Sequence, residues 1–307
     1  MAYAGELPWH GLGNRVDHCV SPDEMLVAAG LDWEILRTRI FAEMPDGSKV
    51  RIPDRRAMIR SSDSKFMTIA SHNWKPLQNR DLMEFFRDYA EAGGAKLETA
   101  GSLRGGSVVW GLANLNDGFN VGGNDRVNGY LLFTSPHKVG SAITIRTTTV
   151  RVVCANTMAL AERSGRVDYS QSHMKTFDVT GAKAAIERAH EGLALAAKRA
   201  ETLKGIRLSV SDRLAFLGKF FDVPAGATAE EITAIAGDEK TKLHKVLSSI
   251  ENAPGADPDT AWGVLNGVTH WGDHVNGREA ASRMFRSWMG DVAEVKLEVE
   301  KGLLELA

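Results

Sequence analysis

The sequence predicts an α+β protein with an antiparallel β-meander and helices in the N-terminal half and an all-helical C-terminal part. Three observations predict this class. Strand-like stretches rich in β-branched residues and separated by glycines fill the region 96–153. After Val167 the composition shifts to helix formers, and no strand signal returns. We expect the two parts to meet near 170–180, as domains of residues 1–175 and 176–307.

The first predicted element is a short helix that begins after Ser21 and stops near Gly30. Ser21 as N-cap, Pro22 at the first helical position and Glu24 three residues after Ser21 form a capping box. The turn at 45–48 then predicts a β-hairpin of two strands. The second strand carries several arginines, which either form a basic strand edge or block aggregation through an exposed edge.

Short strands and one helix lead to the middle of the chain. A strand is expected at 65–70, followed by a helix with apolar residues at helical spacing. These residues are Leu82, Phe85, Phe86 and Tyr89, and they predict a buried stripe. Three more strands are expected at 96–102, 107–115 and 129–133, which together describe a meander.

The stretch 141–163 combines a long strand signal with a helix start. Its first part is rich in isoleucine, valine and threonine, as expected of a strand on a half-buried sheet. Asn156 or Thr157 is a suitable N-cap, and Met158 to Ala161 favour helix. The pattern therefore predicts a strand that runs almost directly into a capped helix.

The C-terminal part is predicted to be helical throughout. A long helix at 182–204 carries small and apolar residues near one stripe, which also suits an oligomer surface. Further helices are expected at about 211–221, 228–236, 238–251, 259–276 and 277–305.

Composition narrows the class of protein. The 307 residues are 43% hydrophobic and 25% charged, with a formal net charge of −2, so a nucleic-acid contact requires a local basic patch. The two cysteines, Cys19 and Cys154, match no disulfide framework and no zinc spacing, which favours a reducing cytoplasm. No 18-residue apolar run and no secretion signal occurs, so we expect neither export nor a membrane span.

A local excess of positive charge predicts a nucleic-acid contact. Residues 137–175 contain six basic residues and two acidic ones. The candidate phosphate-binding residues are Lys138, Arg146, Arg151, Arg163 and Arg166. Nearby aromatic residues could stack bases, as in single-strand binders. The alternative is a set of solvated charges around an aromatic core.

A second group of residues suggests a pocket. Cys154 lies where a strand is expected to meet a helix N-terminus, which can activate a thiol, although such a cysteine more often packs as a small hydrophobe. His270 and His274 are four residues apart, the spacing of helical metal pairs, but the glutamate of a zinc motif and a third ligand are missing. His10 and Asn156 complete the candidate pocket, and we expect no metal and no cofactor.

Four runs of residues, taken together, resemble one known family. They are Pro8–Gly13, the run ETAGSLRGGSVVW from Glu98 to Trp110, RVVCANT from Arg151 to Thr157, and AWGVLNGVTHWGDH from Ala261 to His274. The chain resembles the phage/plasmid-like protein family, a domain-of-unknown-function family of phages, plasmids and prophages, over nearly its whole length. The resemblance implies a mobile-element origin and a bacterial host cytoplasm, and it transfers no catalytic residues.

Three functions are compatible with these patterns. The first is binding of single-stranded DNA by a homo-oligomer, by analogy of fold with annealing proteins of the Rad52 and RecT type, in which case no turnover is needed. The second is a small enzyme, or a protein that binds a nucleotide or host factor in a Cys/His pocket. The third is a structural interaction protein built on the helix at 182–204.

Overall fold

The structure, a computed structural model, describes residues 1–4, 13–16, 21–91, 95–123, 125–151, 157–159, 168–252 and 257–307. The strands are β1 (Ala2–Ala4), β2 (Asn14–Val16), β3 (Ile35–Glu43), β4 (Lys49–Arg60), β5 (Phe66–Ser71), β6 (Lys96–Leu103), β7 (Val108–Val121), β8 (Asp125–Pro136), β9 (Ala142–Arg151), β10 (Thr157–Ala159) and β11 (Tyr169–Ser172). The helices are α1 (Pro22–Ala28), α2 (Asn79–Glu91), α3 (Val179–Gly205), α4 (Val210–Gly218), α5 (Ala229–Gly237), α6 (Lys242–Asn252), α7 (Ala261–His270), α8 (Ala280–Met289) and α9 (Asp291–Leu304). The predicted α+β class is confirmed, with strands mostly in the N-terminal half. No helix in these ranges is long and apolar enough to cross a membrane.

The larger sheet has the strand order β10-β9-β8-β7-β6-β1-β2, and β11 also pairs with β9. Strands β6 to β9 are consecutive antiparallel neighbours, so the predicted meander is confirmed. The short strands β1 and β2 at the far edge were not predicted, because three residues are too few to show an alternating pattern. Strand β1 pairs with β6 and thereby extends the meander by the chain's first residues.

The smaller sheet has the order β3-β4-β5. The predicted hairpin turn is confirmed, since Met44 N donates to Ser48 O at 2.8 Å. The basic strand β4 is the central strand of this sheet, so the expectation of a basic or blocked edge is wrong. The reason is that β5 occupies the edge of β4 that a two-stranded hairpin would leave open.

The helix predicted to start at Asn156 or Thr157 is wrong at Thr157–Ala159. These residues form β10, antiparallel to Thr148–Val150 of β9. Hydrogen bonding along an open strand edge outweighs helix propensity, which is worth only about 0.7 kcal/mol or less per ordinary residue. Asn156 itself and the remainder of the predicted helix lie outside the described residues.

Two other boundaries differ from prediction. Strand pairing returns after Val167, since β11 adds to β9, although no strand was expected there. The single helix expected at 277–305 is divided into α8 and α9 at Gly290, whose backbone is extended. Glycine weakens a helix because it loses more backbone freedom than other residues on folding.

The predicted capping box at Ser21 is confirmed, because Ser21 N donates to Glu24 Oε2 at 2.7 Å and Glu24 N donates to Ser21 Oγ at 3.3 Å.

Both faces of the larger sheet are covered. On one face α2 packs Leu82, Phe85 and Phe86 against Phe133, so the predicted stripe is buried at these positions. The side chain of Tyr89 lies outside the described set. On the other face α8 places Trp288 edge-on against Trp110, with ring centroids 5.0 Å apart. Helix α1 joins the core on the α2 face, and the C-terminal helices form a further core around α7, which includes Val121 and Val127 from the end of the sheet.

Candidate functional site

The candidate residues predicted from the sequence are only partly described. Lys138 is exposed in the turn between β8 and β9, and Arg146 is half-buried in β9. Arg151 is the last residue of β9, and its side chain is not described. Outside the described residues lie Arg163, Arg166, His10, Cys154 and Asn156.

Lys138 and Arg146 lie in different parts of the sheet. Arg146 lies four residues into β9, about 13 Å along the strand from its first residue. It pairs with Leu132 and therefore points to the sheet face that α8 covers. Lys138, in the turn before β9, is exposed, whereas Arg146 is half-buried.

Arg146 instead lines a cavity of about 1040 Å³. The cavity lies between β9, α3 and the α8–α9 region, and its apolar wall includes Trp288, Leu297 and Leu304. Arg199 of α3 and Glu300 of α9 face each other in it, with Nη1 and Oε1 3.7 Å apart. The rest of the lining includes three glutamates, Glu294, Glu298 and Glu305, and one lysine, Lys301.

Burial changes the protonation of the groups that line this cavity. It raises the pKa of Glu300 to about 7, and the nearby Arg199 opposes the rise. Burial also lowers the pKa of Arg146, against the attraction of Asp168. Desolvation disfavours the charged form in both cases. A buried carboxyl with a raised pKa inside a cavity is a common feature of ligand sites.

The two histidines of the THWGDH run lie side by side. The ring centroids of His270 and His274 are 4.7 Å apart at an interplanar angle of 34°. Burial lowers the pKa of both rings. Within the described residues no group of three or more His, Cys, Asp or Glu side chains could hold a metal ion.

A buried polar cluster beside the histidines was not predicted. The residues Trp271–Val275 form a π-helical turn that directs Asp273 inward. Lys296 Nζ donates to Asp273 Oδ1 at 2.6 Å and to Ser287 Oγ at 2.5 Å. Ser287 Oγ also donates to Asp273 Oδ1. No sequence signal marks the cluster, because its members are spread over three elements and π-turns have no sequence signature.

The smaller sheet presents a second candidate site. Strand pairing places Arg39 opposite Arg56 and Phe41 opposite Arg51, and cross-strand partners point to the same side. We call this side of the sheet the basic face; its residues are Arg37, Arg39, Phe41, Lys49, Arg51 and Arg56, with one acidic residue, Glu43, opposite Lys49. Phe41 is 51% exposed. The basic run was visible in the sequence, but the pairing that groups it around an aromatic ring was not.

The opposite side of the same sheet is apolar and also solvent-exposed. We call it the apolar face; it consists of Leu36, Val50, Ile52, Phe66 and Ile69, which are 36% to 56% exposed. Exposed apolar patches of this kind mark interaction surfaces in many proteins.

Comparison with known proteins found one family. A family model described as a domain of unknown function (DUF932) matches residues 67–292. Neither a search of curated proteins nor a search of solved structures found a match. The family match covers the meander and the histidine pair, includes only Arg146, Arg199 and residues 288–290 of the cavity lining, and states no activity.

Proposed function

Because the chain belongs to the DUF932 family, for which no activity is stated, we propose its function from the structure: it binds single-stranded nucleic acid on the basic face. The observation that carries the proposal is the grouping of exposed arginines around exposed Phe41 on one side of a β-sheet. Positive charge combined with an aromatic stacking platform is the feature that single-strand binders share.

The charge of this sheet supports the proposal. Residues 35–71 contain eight Lys and Arg against four Asp and Glu, whereas the whole chain has a net charge of −2. Within the described residues the side chains of Arg39, Lys49 and Arg51 make no hydrogen bond or ion pair, and all three are exposed. These cations are therefore available to phosphates, and phosphate contacts dominate the affinity for nucleic acid.

The surroundings of Arg146 favour the smaller sheet, rather than β9, as the site of the nucleic-acid contact. Arg146 is half-buried, and several glutamates line the same cavity, so a phosphate chain there would meet like charge. On the basic face, by contrast, Glu43 is the single acidic residue of β3 and lies opposite Lys49. The contribution of Lys138, Arg151, Arg163 and Arg166 stays a prediction.

The mechanism that follows needs no turnover. Guanidinium groups neutralise phosphates, Phe41 stacks on a base, and the other bases remain accessible for pairing. The same proposal includes strand annealing of the Rad52 or RecT kind. It also includes an origin in a phage or plasmid and a location in the bacterial cytoplasm. A homo-oligomer would use the apolar face, which leaves the basic face open. The Cys/His pocket and the interaction protein stay alternatives.

The test is fluorescence anisotropy of a labelled oligodeoxythymidine across a salt series. We expect Arg39→Ala and Arg51→Ala each to weaken binding and to lower the salt slope by roughly 0.7. Phe41→Ala should cost about 1–3 kcal/mol with little change of slope, because stacking is not ionic. Arg278→Ala, which removes an exposed cation elsewhere, is the matched control.

Two results would contradict the proposal. One is binding by Arg39→Ala and Arg51→Ala that equals that of the parent at every salt concentration. The other is no salt-sensitive binding by the parent. If Arg146→Ala weakened binding while the basic-face variants did not, the contact predicted from the sequence would replace the one proposed from the sheet.

A further inference from the structure

The cavity beside β9 has no role in the proposed nucleic-acid contact. It lies on the face of the larger sheet covered by α8 and α9, whereas the basic face belongs to the other sheet. Its volume of about 1040 Å³ is large enough for a small organic ligand, since such sites measure about 300–1,000 Å³.

Arg146 is the first feature that points to a ligand. Its guanidinium lines the cavity, it is half-buried, and it makes no hydrogen bond or ion pair with the described residues. Asp168 attracts this cation, but burial outweighs that attraction, so the buried charge still costs free energy that an anion in the cavity would offset. A guanidinium is suited to this because its planar fork binds a carboxylate through two hydrogen bonds.

The second feature is the pair formed by Arg199 and Glu300. Their side chains are 20% and 7% exposed, and 3.7 Å separates Nη1 from Oε1. Burial raises the pKa of Glu300 to about 7, so near neutral pH a large fraction of this carboxyl is protonated. A protonated carboxyl can donate a hydrogen bond to a ligand oxygen and does not repel an anion.

The remaining lining selects the kind of anion. Trp288, Leu297 and Leu304 provide an apolar wall, which fits an aliphatic or aromatic body. Glu294, Glu298 and Glu305 outnumber Lys301 in the rest of the lining, and this acidic excess disfavours a ligand with several negative charges. A single carboxylate on an apolar body fits both parts of the lining.

We propose that this cavity binds a small organic monocarboxylate, with the carboxylate on Arg146 and the apolar body against Trp288 and the α9 leucines. Octanoate and phenylacetate are suitable probes, and octanamide is the neutral counterpart of octanoate. Isothermal titration calorimetry with the full chain measures the three affinities. We expect octanoate to bind at least roughly tenfold more tightly than octanamide, a difference of about 1.4 kcal/mol.

Variants of Arg146 provide the second measurement. Arg146→Met keeps an unbranched aliphatic stem and removes the guanidinium and its charge, so it should abolish the preference for octanoate over octanamide. Octanoate should raise the melting temperature of the parent and leave that of Arg146→Met unchanged. Lys138→Ala, an exposed cation on the turn before β9, is the matched control and should bind octanoate like the parent.

The outcomes separate clearly. Octanoate binding that Arg146→Met weakens and Lys138→Ala leaves unchanged supports the proposal. Equal binding of octanoate and octanamide, equal binding by parent and Arg146→Met, or no binding of octanoate and phenylacetate overturns it. Oligodeoxythymidine binding by Arg146→Met should equal that of the parent, which keeps this site distinct from the basic face.

Discussion

The environment of His137 shows how single residues control the stability of this protein. Asn79 Nδ2 donates to Leu31 O at 2.9 Å and to Trp33 O at 3.0 Å, so Asn79 Oδ1 is left to accept. His137 Nε2 lies 3.1 Å from that oxygen and must carry the proton. His137 Nδ1 is buried and has no hydrogen-bond partner in the part of the chain that the structure describes. The ring is therefore held neutral, and a second proton would have no acceptor.

This neutral histidine predicts a loss of stability in acid. Burial, with a smaller effect of His173, lowers the pKa of His137 from 6.5 to about 3. As the pH falls below 6.5 the unfolded chain takes up a proton that the folded chain refuses. The uptake of this one proton lowers the free energy of unfolding by about 1.4 kcal/mol per pH unit. The contribution is complete above pH 6.5 and is lost as the pH falls towards 3.

The change to test is His137→Gln, whose amide can still donate to Asn79. Urea unfolding, followed by tryptophan fluorescence between pH 7.5 and about 4.5, measures the effect. We expect the stability of the variant to fall less steeply with acid than that of the parent. Parallel curves for the two proteins would show that His137 does not remain neutral in the folded state.

At the scale of elements, the π-helical turn between α7 and α8 places a carboxylate in the interior of the helical part. It points Asp273 at Lys296 of α9 and Ser287 of α8, so one carboxylate joins three elements. Lys296 and Asp273 have side chains only 5% and 0% exposed. Burial lowers the pKa of Lys296, and Asp273 opposes this change. Such a pair is stable only while both partners are present.

We therefore expect strong coupling in a double-mutant cycle of this pair. Lys296→Met alone leaves Asp273 buried without its cation and should cost about 3–5 kcal/mol of unfolding free energy. Lys296→Met combined with Asp273→Asn should cost less than the sum of the single changes, by roughly 0.5–3 kcal/mol. Chemical denaturation of the four proteins measures the coupling. Additive costs would indicate that the two groups do not interact in the folded protein.

At the scale of the whole molecule, α3 links the sheet to the helices. Leu193 of α3 belongs to the core of the larger sheet, whereas Ala196, Ala200 and Leu203 belong to the helical core. The helical core in turn includes Val121 of β7. Both cores therefore contain residues from either side of the predicted boundary at residue 175.

This shared packing predicts one unfolding transition for the full chain. We expect the fragment 1–175 not to fold cooperatively, because its sheet would expose the apolar surface that α3 covers. Differential scanning calorimetry of the full chain and of the fragment measures this. A sharp transition of the isolated fragment, or two separate transitions of the full chain, would instead favour two independent domains.

Local features were the part of the fold most open to prediction. The capping box at Ser21 and the hairpin turn at 45–48 depend on residues within a few positions of each other. The stripe of α2 follows from the helical period alone. Strand β10 was missed because its pairing partner lies several residues earlier and outweighs a local helix preference. The candidate site was less open to prediction, since Arg146 and Arg199 line one cavity only after α3 packs against the sheet.

The sequence by itself determined the α+β class, the meander and the helical C-terminal part, because period, turn residues and caps act over short distances. Tertiary structure alone decided which side chains face each other. It placed Arg146 in a cavity with Glu300, grouped the arginines around Phe41, and buried Lys296 on Asp273. The physical reason is that strand register and helix packing set these contacts, and both arise from interactions between residues distant in the chain.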